Sequence, residues 1–319
     1  GTLHSAQNLF NADVSKYFEG LIGNGLNVAF GAEHRKDSYR IEPGEEASYV
    51  GTGSQVFPGF RPQDSGSFDR DSNAVYLDLE SDVTDQFATS LAVRYEDYSD
   101  FGSTTSGKLS GRYSFTDTVA LRGTVSTGFR APSLAQQFYA TTATNFIGGV
   151  PFDVRTFAVT DPVAIALGAE PLQAEESTNV SLGLSLQPTD DLNITIDAYQ
   201  IDVDDRIILS ENLTGTAVQQ FLASQGILNA NGGRYFTNAI DTRTRGLDIV
   251  ASYGFTLGDG DLSVTAGVNF NDVDITAIAP NPEELQQGGL QLQRIGRVEQ
   301  GRVEVGSPDN KLNLGADYS

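Results

Sequence analysis

The sequence contains no cysteine, methionine or tryptophan, and only two of its 319 residues are histidine. Without cysteine the chain cannot form disulfides, a thiolate metal site or a thiol nucleophile. The two histidines, His4 and His34, lie far apart in the sequence with no neighbouring ligand pattern. We therefore expect no metal site and no bound cofactor.

Basic residues and long apolar runs are also scarce. Twenty Lys and Arg stand against 42 Asp and Glu, a formal net charge of −22, which argues against nucleic acid as a partner because phosphate binding needs a basic surface. The longest apolar run, Val163–Leu167, is far shorter than the roughly twenty residues of a transmembrane helix. The first residues lack the basic start and apolar stretch of a signal peptide, so either the chain is not secreted or its true N-terminus is missing.

What the sequence does contain favours β-structure, with 18 Phe, 12 Tyr and many Gly, Thr, Ser, Asn and Asp residues. Apolar and polar residues alternate with a period of two in Val119–Phe129 and Leu262–Phe270, as in strands with two different faces. The same pattern predicts eleven strands in total. The other nine lie around Val14–Leu21, Leu26–Ala32, Val75–Leu79, Phe87–Tyr95, Leu109–Phe115, Val180–Leu186, Leu192–Val203, Leu247–Phe255 and Leu312–Tyr318.

One predicted strand changes its parity. In Leu192–Val203 the apolar residues first occupy even positions and then shift to Tyr199, Ile201 and Val203. An extra residue in one strand of a pair would produce this shift. The pattern therefore predicts a β-bulge near Ala198 or Tyr199.

The connections between strands alternate in length. Short turns rich in Gly, Asn and Asp alternate with long connections, apart from one brief link at Ser99–Ser103. The long connections run at about Arg40–Arg70, Arg130–Glu176, Ile207–Asn238 and Ala277–Asn310, and the third contains a short predicted helix at Thr216–Gln225. Short turns at one rim and long loops at the other are typical of an antiparallel transmembrane β-barrel of outer-membrane type. We therefore predict an all-β fold of this type.

The polarity of the two strand faces agrees with a membrane barrel, whose outside is apolar and whose lumen is polar. We expect Arg94, Arg112 and Arg122 to face the lumen, together with Ser126, Ser181 and Thr265. The lipid-facing set comprises Val119, Leu121, Val125, Leu182, Leu184, Val264 and Val268, and an aromatic girdle comprises Phe87, Phe115, Tyr253, Phe255 and Tyr318. An antiparallel barrel normally needs an even number of strands. Eleven strands therefore indicate a fragment with material missing at both ends.

Four segments of the sequence resemble motifs of TonB-dependent outer-membrane receptors. Gly128-Phe129-Arg130-Ala131-Pro132 and the following Ser133-Leu134 resemble the barrel motif of this family. Pro171–Asn179 is similar to the entry to the next strand, with Ala174 in place of the usual proline. Leu192–Ile207 and Asn238–Asp248 resemble two later strand segments in the expected order.

The resemblance implies a 22-strand barrel of the bacterial outer membrane, with an N-terminal plug and a TonB box ahead of it. Neither plug nor box is recognisable here, so residues 1–319 are expected to be a partial barrel domain without the plug. The implied function is active uptake of a scarce nutrient, with a ferric siderophore as the leading ligand. Cobalamin, saccharides and other metal chelates remain open. The implied partners are membrane lipid, a small metal chelate and the TonB energising complex.

The motif residues also have mechanical explanations. Arg130 leads from a strand into a loop, where we expect it to pair with an acidic group, and Pro132 ends the ladder because it has no N–H to donate. Gly246 would allow close packing of a neighbouring side chain. No substrate-binding residue can be identified.

Two other function classes are weighed against the receptor. A passive porin-like or structural barrel would lack the plug and the TonB box. A soluble β-sandwich binding module would have an apolar core between two sheets and would need no detergent. No Walker loop and no G-x-S-x-G elbow occurs, so we expect no enzyme activity.

Overall fold

The computed structural model describes residues 1–50, 58–147, 149–228, 230–286, 290 and 292–319. In chain order the strands are β1 (Thr2–Glu19), β2 (Gly25–Glu42), β3 (Gly66–Asp82), β4 (Phe87–Tyr98), β5 (Gly102–Thr116), β6 (Val119–Arg130), β7 (Thr141–Ile147), β8 (Val150–Thr156), β9 (Glu175–Thr189), β10 (Leu192–Leu209), β11 (Leu213–Thr214), β12 (Gly232–Arg234), β13 (Phe236–Leu257), β14 (Gly260–Ile278) and β15 (Asn310–Tyr318). The helices are α1 (Leu134–Phe138), α2 (Pro162–Ala166), α3 (Thr216–Ser224) and α4 (Arg297–Glu304). Among the described residues, none of these helices has the length and hydropathy needed to cross a membrane.

Eleven of the strands form one antiparallel sheet, which we call the main sheet. Its order is β1-β2-β3-β4-β5-β6-β9-β10-β13-β14-β15. Each of the eleven predicted strands therefore pairs with the predicted strand that precedes or follows it in the sequence. This confirms the eleven predicted strands and the barrel-type fold. Within the described residues the sheet is open, because β1 and β15 each pair on one side only. The strand predicted around Val14–Leu21 is the 18-residue β1, which begins at Thr2 and ends at Glu19.

The strand register places one large apolar residue from each strand on the same face of the main sheet. These residues are Val14, Phe30, Leu77, Leu91, Leu109, Val125, Leu182, Ile196, Ile249, Val268 and Leu312. Leu109 and Leu182 are 57% and 56% exposed, far more than aliphatic side chains in a protein core. We call this surface the apolar face. A continuous apolar surface that crosses all eleven strands needs a non-aqueous neighbour.

The β-bulge predicted near Ala198 or Tyr199 is wrong. Pairing of β10 with β13 runs without interruption from Leu192 to Val203, and the register shifts only beyond it, next to Asp205 with its φ of 54°. The parity of the sequence changes because the apolar residues on this side of β10 stop at Ala198. Beyond it the same side of the strand carries Gln200 and Asp202, which accept hydrogen bonds from Arg245 and Arg243 of β13.

Four short strands form a second sheet in the long connections, which we call the loop sheet. Its order is β11-β12-β8-β7, with β12 and β8 parallel. The alternation pattern of the sequence did not predict these strands. The sequence did predict the helix at Thr216–Gln225, which is α3, with Val218 and Leu222 buried.

The loop sheet and its helices enclose a hydrophobic core of their own. This core contains Phe157 and Leu167 from the β6–β9 connection, Val218, Leu222 and Tyr235 from the β10–β13 connection, and Leu285 and Leu290 from the β14–β15 connection. Three of the four long connections therefore fold together. We call the resulting unit the loop assembly.

Candidate functional site

The motif Gly128–Pro132 lies where β6 ends and the first residues of the loop assembly begin. Arg130 is the last residue of β6, and its Nε donates a hydrogen bond of 2.6 Å to Glu175, the first residue of β9. Glu175 is 6% exposed and also accepts a 2.6 Å hydrogen bond from the backbone N–H of Ile207 in β10. A single carboxylate thus joins three neighbouring strands at the rim where the long connections start.

The carbonyl of Pro132 is held by a second arginine. Arg70 of β3, only 8% exposed, donates from Nη1 to the Pro132 oxygen at 2.7 Å and from Nη2 to Asp37 at 3.1 Å. Its guanidinium also lies 5.3 Å from the centre of the Tyr98 ring. Charge-assisted hydrogen bonds of this kind fix a backbone direction, and here they direct the chain from β6 towards α1.

Helix α1 begins with a reciprocal cap. The Ser133 hydroxyl accepts from the Gln136 N–H at 3.0 Å, and the Gln136 side chain accepts from the Ser133 N–H at 3.0 Å. This arrangement satisfies two of the free N–H groups at the start of the helix. Leu134 then packs against Tyr39, Ile41 and Phe60, so the connection after β6 is attached to the end of β2.

The face of the main sheet opposite the apolar face carries polar and charged side chains, and we call it the polar face. Arg94 contacts Glu33 at 3.2 Å and Glu96 at 2.6 Å, and Arg35 contacts the same two carboxylates at 3.2 and 3.7 Å. Tyr98 donates a hydrogen bond of 2.8 Å to Glu96. Two arginines and two glutamates thus form a charge-balanced network over β2 and β4.

Arg112 and Arg122, also on the polar face, stand directly opposite each other on β5 and β6. Arg122 binds Asp197 of β10 with three hydrogen bonds of 2.6–3.0 Å. Arg112 contacts only the Ser114 hydroxyl, at 2.8 Å, among the described side chains. Like charges on opposite residues repel each other. Asp197 neutralises Arg122 and so reduces this repulsion, whereas Arg112 has no carboxylate partner among the residues that the structure describes.

Glycines on the polar face lie beneath contacts that span three strands. Arg122, Gly183 and Asp197 occupy one row of the register, and a Cβ at Gly183 would lie 2.1 Å from Asp197 and 2.7 Å from Arg122. Two further rows are Asp13–Gly31–Tyr76 and Tyr199–Gly246–Asn271, where the tyrosine hydroxyls reach Asp13 at 2.5 Å and Asn271 at 3.3 Å. A side chain can cross the middle strand because glycine has no Cβ there.

A buried ion pair attaches the loop sheet to the β2–β3 connection. Arg155 of β8 is 4% exposed and contacts Asp64 at 2.7 Å, although the two residues are 91 positions apart in the sequence. Burial raises the pKa of Asp64 despite the neighbouring guanidinium. Nε and Nη1 of Arg155 are buried and have no partner among the described atoms. The contact couples all four long connections.

The loop assembly also borders two adjoining cavities whose linings share Ala279, Asn281 and Arg294. One has a volume of about 630 Å³ and is lined by Asn281, Gln286, Gln293 and Gln300 with aliphatic side chains between them. The other, of about 550 Å³, is lined by four acidic residues, Glu170, Asp205, Glu283 and Glu284. Both volumes are in the usual range for small-molecule pockets.

The residues singled out by sequence are therefore brought together only in part. Arg112 and Arg122 are neighbours, whereas Arg94 belongs to a separate network, and the motif Gly128–Pro132 lies at the rim. Sequence reasoning missed Arg70, Asp64, Arg155 and Arg294. All four lie outside the segments with clear alternation, so no local pattern indicates them. The described residues contain no group of three or more side chains suited to a metal ion.

A family model described as TonB dependent receptor-like, beta-barrel, matches residues 2–319. A probable TonB-dependent siderophore receptor, PirA, of Acinetobacter baumannii is 24% identical over 209 residues, which cover 65% of this chain and 26% of that protein. The chain thus spans about a quarter of the length of this curated relative.

Solved structures show the same fold at low sequence identity. The siderophore receptor PirA from Pseudomonas aeruginosa superposes with a TM-score of 0.58 at 15% identity, covering 86% of this chain and 46% of that one. The ferric enterobactin receptor PfeA of the same organism, in the mutant R480A in complex with enterobactin, gives a TM-score of 0.63 at 15% identity. That match covers 99% of this chain and 40% of the receptor.

Proposed function

Because the chain belongs to the family of TonB-dependent receptor β-barrels over residues 2–319, we propose that it forms part of an outer-membrane receptor for active uptake of a ferric siderophore. The family match is the observation that carries this proposal. The relatives named above are siderophore receptors, which favours this ligand class over cobalamin, saccharides or other chelates. The eleven strands would then be half of a 22-strand barrel.

The two faces of the main sheet take different roles in this proposal. The apolar face contacts lipid, and the polar face lines the lumen with Arg94, Arg112 and Arg122. Charged side chains on the lipid face are costly, whereas a hydrated lumen accepts them. Arg112, which has no carboxylate partner among the described residues, is placed to receive an acidic group from a plug inside the barrel.

The loop assembly is the part of the chain that we propose to face the outside of the cell. In outer-membrane barrels the longer loops are extracellular and the short turns periplasmic. A shared hydrophobic core and the Arg155–Asp64 pair hold the connections in one arrangement. A loop surface ordered in this way loses little entropy when a ligand binds. Gly128–Pro132 would then hold the base of this surface rather than contact the ligand.

Members of this family are receptors and transporters rather than enzymes, and their homologues are outer-membrane proteins. We extend both statements to this protein. The chain would contribute containment and part of the ligand surface, with no covalent chemistry. Energy would come from the TonB complex, acting through a plug and TonB box of the whole receptor.

The test is uptake of radioactive iron, supplied as a purified ferric siderophore, by iron-limited cells. Deletion of the gene for the full-length receptor should abolish uptake, and the restored gene should recover it. Loss of TonB should abolish uptake as well. Iron uptake that depends on the receptor gene but persists without TonB would favour the passive porin-like alternative and contradict the proposal.

A further inference from the structure

The polar face of the main sheet contains a trough with opposite charges on its two sides. Asp78 of β3, Ala92 of β4 and Lys108 of β5 occupy one row of the register. The two charged residues are therefore two strands apart, about 10 Å between their Cα atoms, with only the methyl group of Ala92 between them. Neither charged group forms an ion pair or a side-chain hydrogen bond with another described residue.

The space above Ala92 is a cavity of about 560 Å³. Most of its lining residues have their side chains on the polar face, which places the cavity there. Asp78 lines one side of it and Lys108 the other, while Tyr76 and Arg94 line the end nearer to the long connections. Its volume is in the usual range for small-molecule pockets.

The other polar groups at the end of the cavity already have partners. Arg94 contacts Glu33 at 3.2 Å and Glu96 at 2.6 Å. Tyr76 donates a hydrogen bond to Asp13 at 2.5 Å. Within the part of the chain that the structure describes, the aspartate and the lysine therefore carry the charges that a ligand in the cavity would meet without a partner.

The same separation of charge continues along the strands towards the short turns. On this face β3 next carries Glu80 and Asp82, and β5 carries Arg112, while β4 between them has only Ser90 and Ala88. A ligand with a single charge is attracted to one side of the trough and repelled by the other. A ligand with both charges can orient so that each charge meets its opposite.

We propose that this cavity binds a small zwitterion, with its ammonium group at Asp78 and its carboxylate at Lys108. Hydrogen bonds between oppositely charged groups would give both residues a partner, and the Ser126 hydroxyl in the cavity lining can donate to the same carboxylate. The small side chain of Ala92 leaves room for the carbon chain of the ligand.

The spacing of the two residues also selects among zwitterions. Because the partner groups come from strands two positions apart, charges separated by several bonds, as in an ω-amino acid, fit better than the adjacent charges of an α-amino acid. A zwitterion has no net charge, so the formal charge of −22 on the chain does not repel it. This binding requires only that the polar face meets water and does not depend on TonB-coupled import.

The experiment is a ligand-observed NMR titration of the full-length receptor in detergent. The probe is 4-aminobutyrate, and its controls are butyrate and butylamine, which each carry only one of the two charges. Lys108→Asp makes both sides of the trough acidic and should weaken 4-aminobutyrate binding about tenfold or more, because repulsion replaces a charge-assisted hydrogen bond. Lys311→Asp makes the same change on an exposed lysine of β15, outside the cavity lining, and should leave binding unchanged.

A charge exchange separates contact with the ligand from damage to the fold. The double variant Asp78→Lys/Lys108→Asp swaps the two charges and should recover most of the binding, because the ligand can turn round in the cavity. Lys108→Asp alone should bind butylamine more tightly than the parent receptor does, since two carboxylates then face the cavity.

Saturable binding of 4-aminobutyrate that exceeds the binding of both single-charge analogues, with loss in Lys108→Asp and recovery in the double variant, would support the site. Absence of saturable binding, equal binding of butyrate or butylamine, or equal effects of the Lys108 and Lys311 variants would overturn it. So would lack of recovery in a double variant whose folding is verified by its heat-dependent gel mobility. Should that variant fail to fold, the comparison of the three ligands and of the two single variants decides the question.

Discussion

Single residues determine how closely side chains can cross the polar face of the main sheet. In three register rows a glycine lies between two polar residues of the flanking strands, and the contact passes over it. The sequence predicts this role for Gly246 alone, and the structure confirms it, because a Cβ there would lie 2.1 Å from the Tyr199 ring. Gly31 and Gly183 were not predicted, because neither lies in one of the four segments that resemble family motifs.

Gly246→Ala should therefore lower the free energy of unfolding of the receptor by about 1–3 kcal/mol, as overpacking does. The added methyl would displace the Tyr199 ring and its hydrogen bond to Asn271. Gly254→Ala is the matched control, because Gly254 lies on the same strand and face with no atom within 4 Å of its Cβ position. Thermal unfolding in detergent measures both. Equal stability of the two variants would contradict the steric explanation.

At the scale of elements, alternation identified every strand of the main sheet and the lengths of its connections. It succeeded because each strand has two different environments, and a period-two pattern records this directly. The loop sheet was not predicted, because its strands are short and one of them, Gly232–Arg234, contains two glycines. In addition, its parallel pair joins β8 to β12, which are far apart in the sequence. The bulge was mispredicted for a related reason. The alternation of apolar and polar residues also changes parity where a strand extends beyond the apolar face and carries polar residues on that side.

The Asp64–Arg155 pair provides a test of how the loop assembly is held. Asp64→Leu or Arg155→Met alone leaves one buried charge unpaired and should destabilise the assembly by about 3–5 kcal/mol. The double variant Asp64→Leu/Arg155→Met removes both charges and should recover most of this loss. Hydrogen exchange of β8 in the full-length receptor measures the local stability. A double variant as unstable as the sum of its singles would show that the pair does not couple the loops.

A single strand also tests which face meets lipid. On β14, Val264 lies on the apolar face beside Tyr253 and Ala316, while Thr265 lies on the polar face and contacts Ser252 at 3.0 Å. An arginine on the lipid face costs about 2–4 kcal/mol at the bilayer midplane and less near the interface. Val264→Arg should therefore reduce the amount of assembled receptor in outer membranes far more than Thr265→Arg. Equal amounts of the two variants would contradict the face assignment.

At the scale of the whole molecule, the apolar face, the polar face and the loop assembly form one consistent arrangement. The apolar face crosses all eleven strands. Near the short-turn ends of these strands lies a group of aromatic residues that includes Phe87, Phe115, Tyr253 and Phe255. At the opposite ends the long connections pack together in the loop assembly. Because the strand count is odd, β1 and β15 run in the same direction, and each presents an unpaired edge within the described chain. Such edges bind further strands, as the rest of a barrel would supply.

The central claim is that the apolar face contacts lipid and the polar face contacts water. Cysteine labelling of the full-length receptor in outer membranes tests it most directly, since this part of the receptor has no native thiol. Leu184 lies on the apolar face opposite Leu121 and Ile196, and Ser181 lies on the polar face opposite Thr124 and Tyr199. We predict that Leu184→Cys reacts with a lipid-soluble maleimide and Ser181→Cys with a water-soluble one. Because a register slip of one residue exchanges the faces, the reverse labelling pattern would contradict the account.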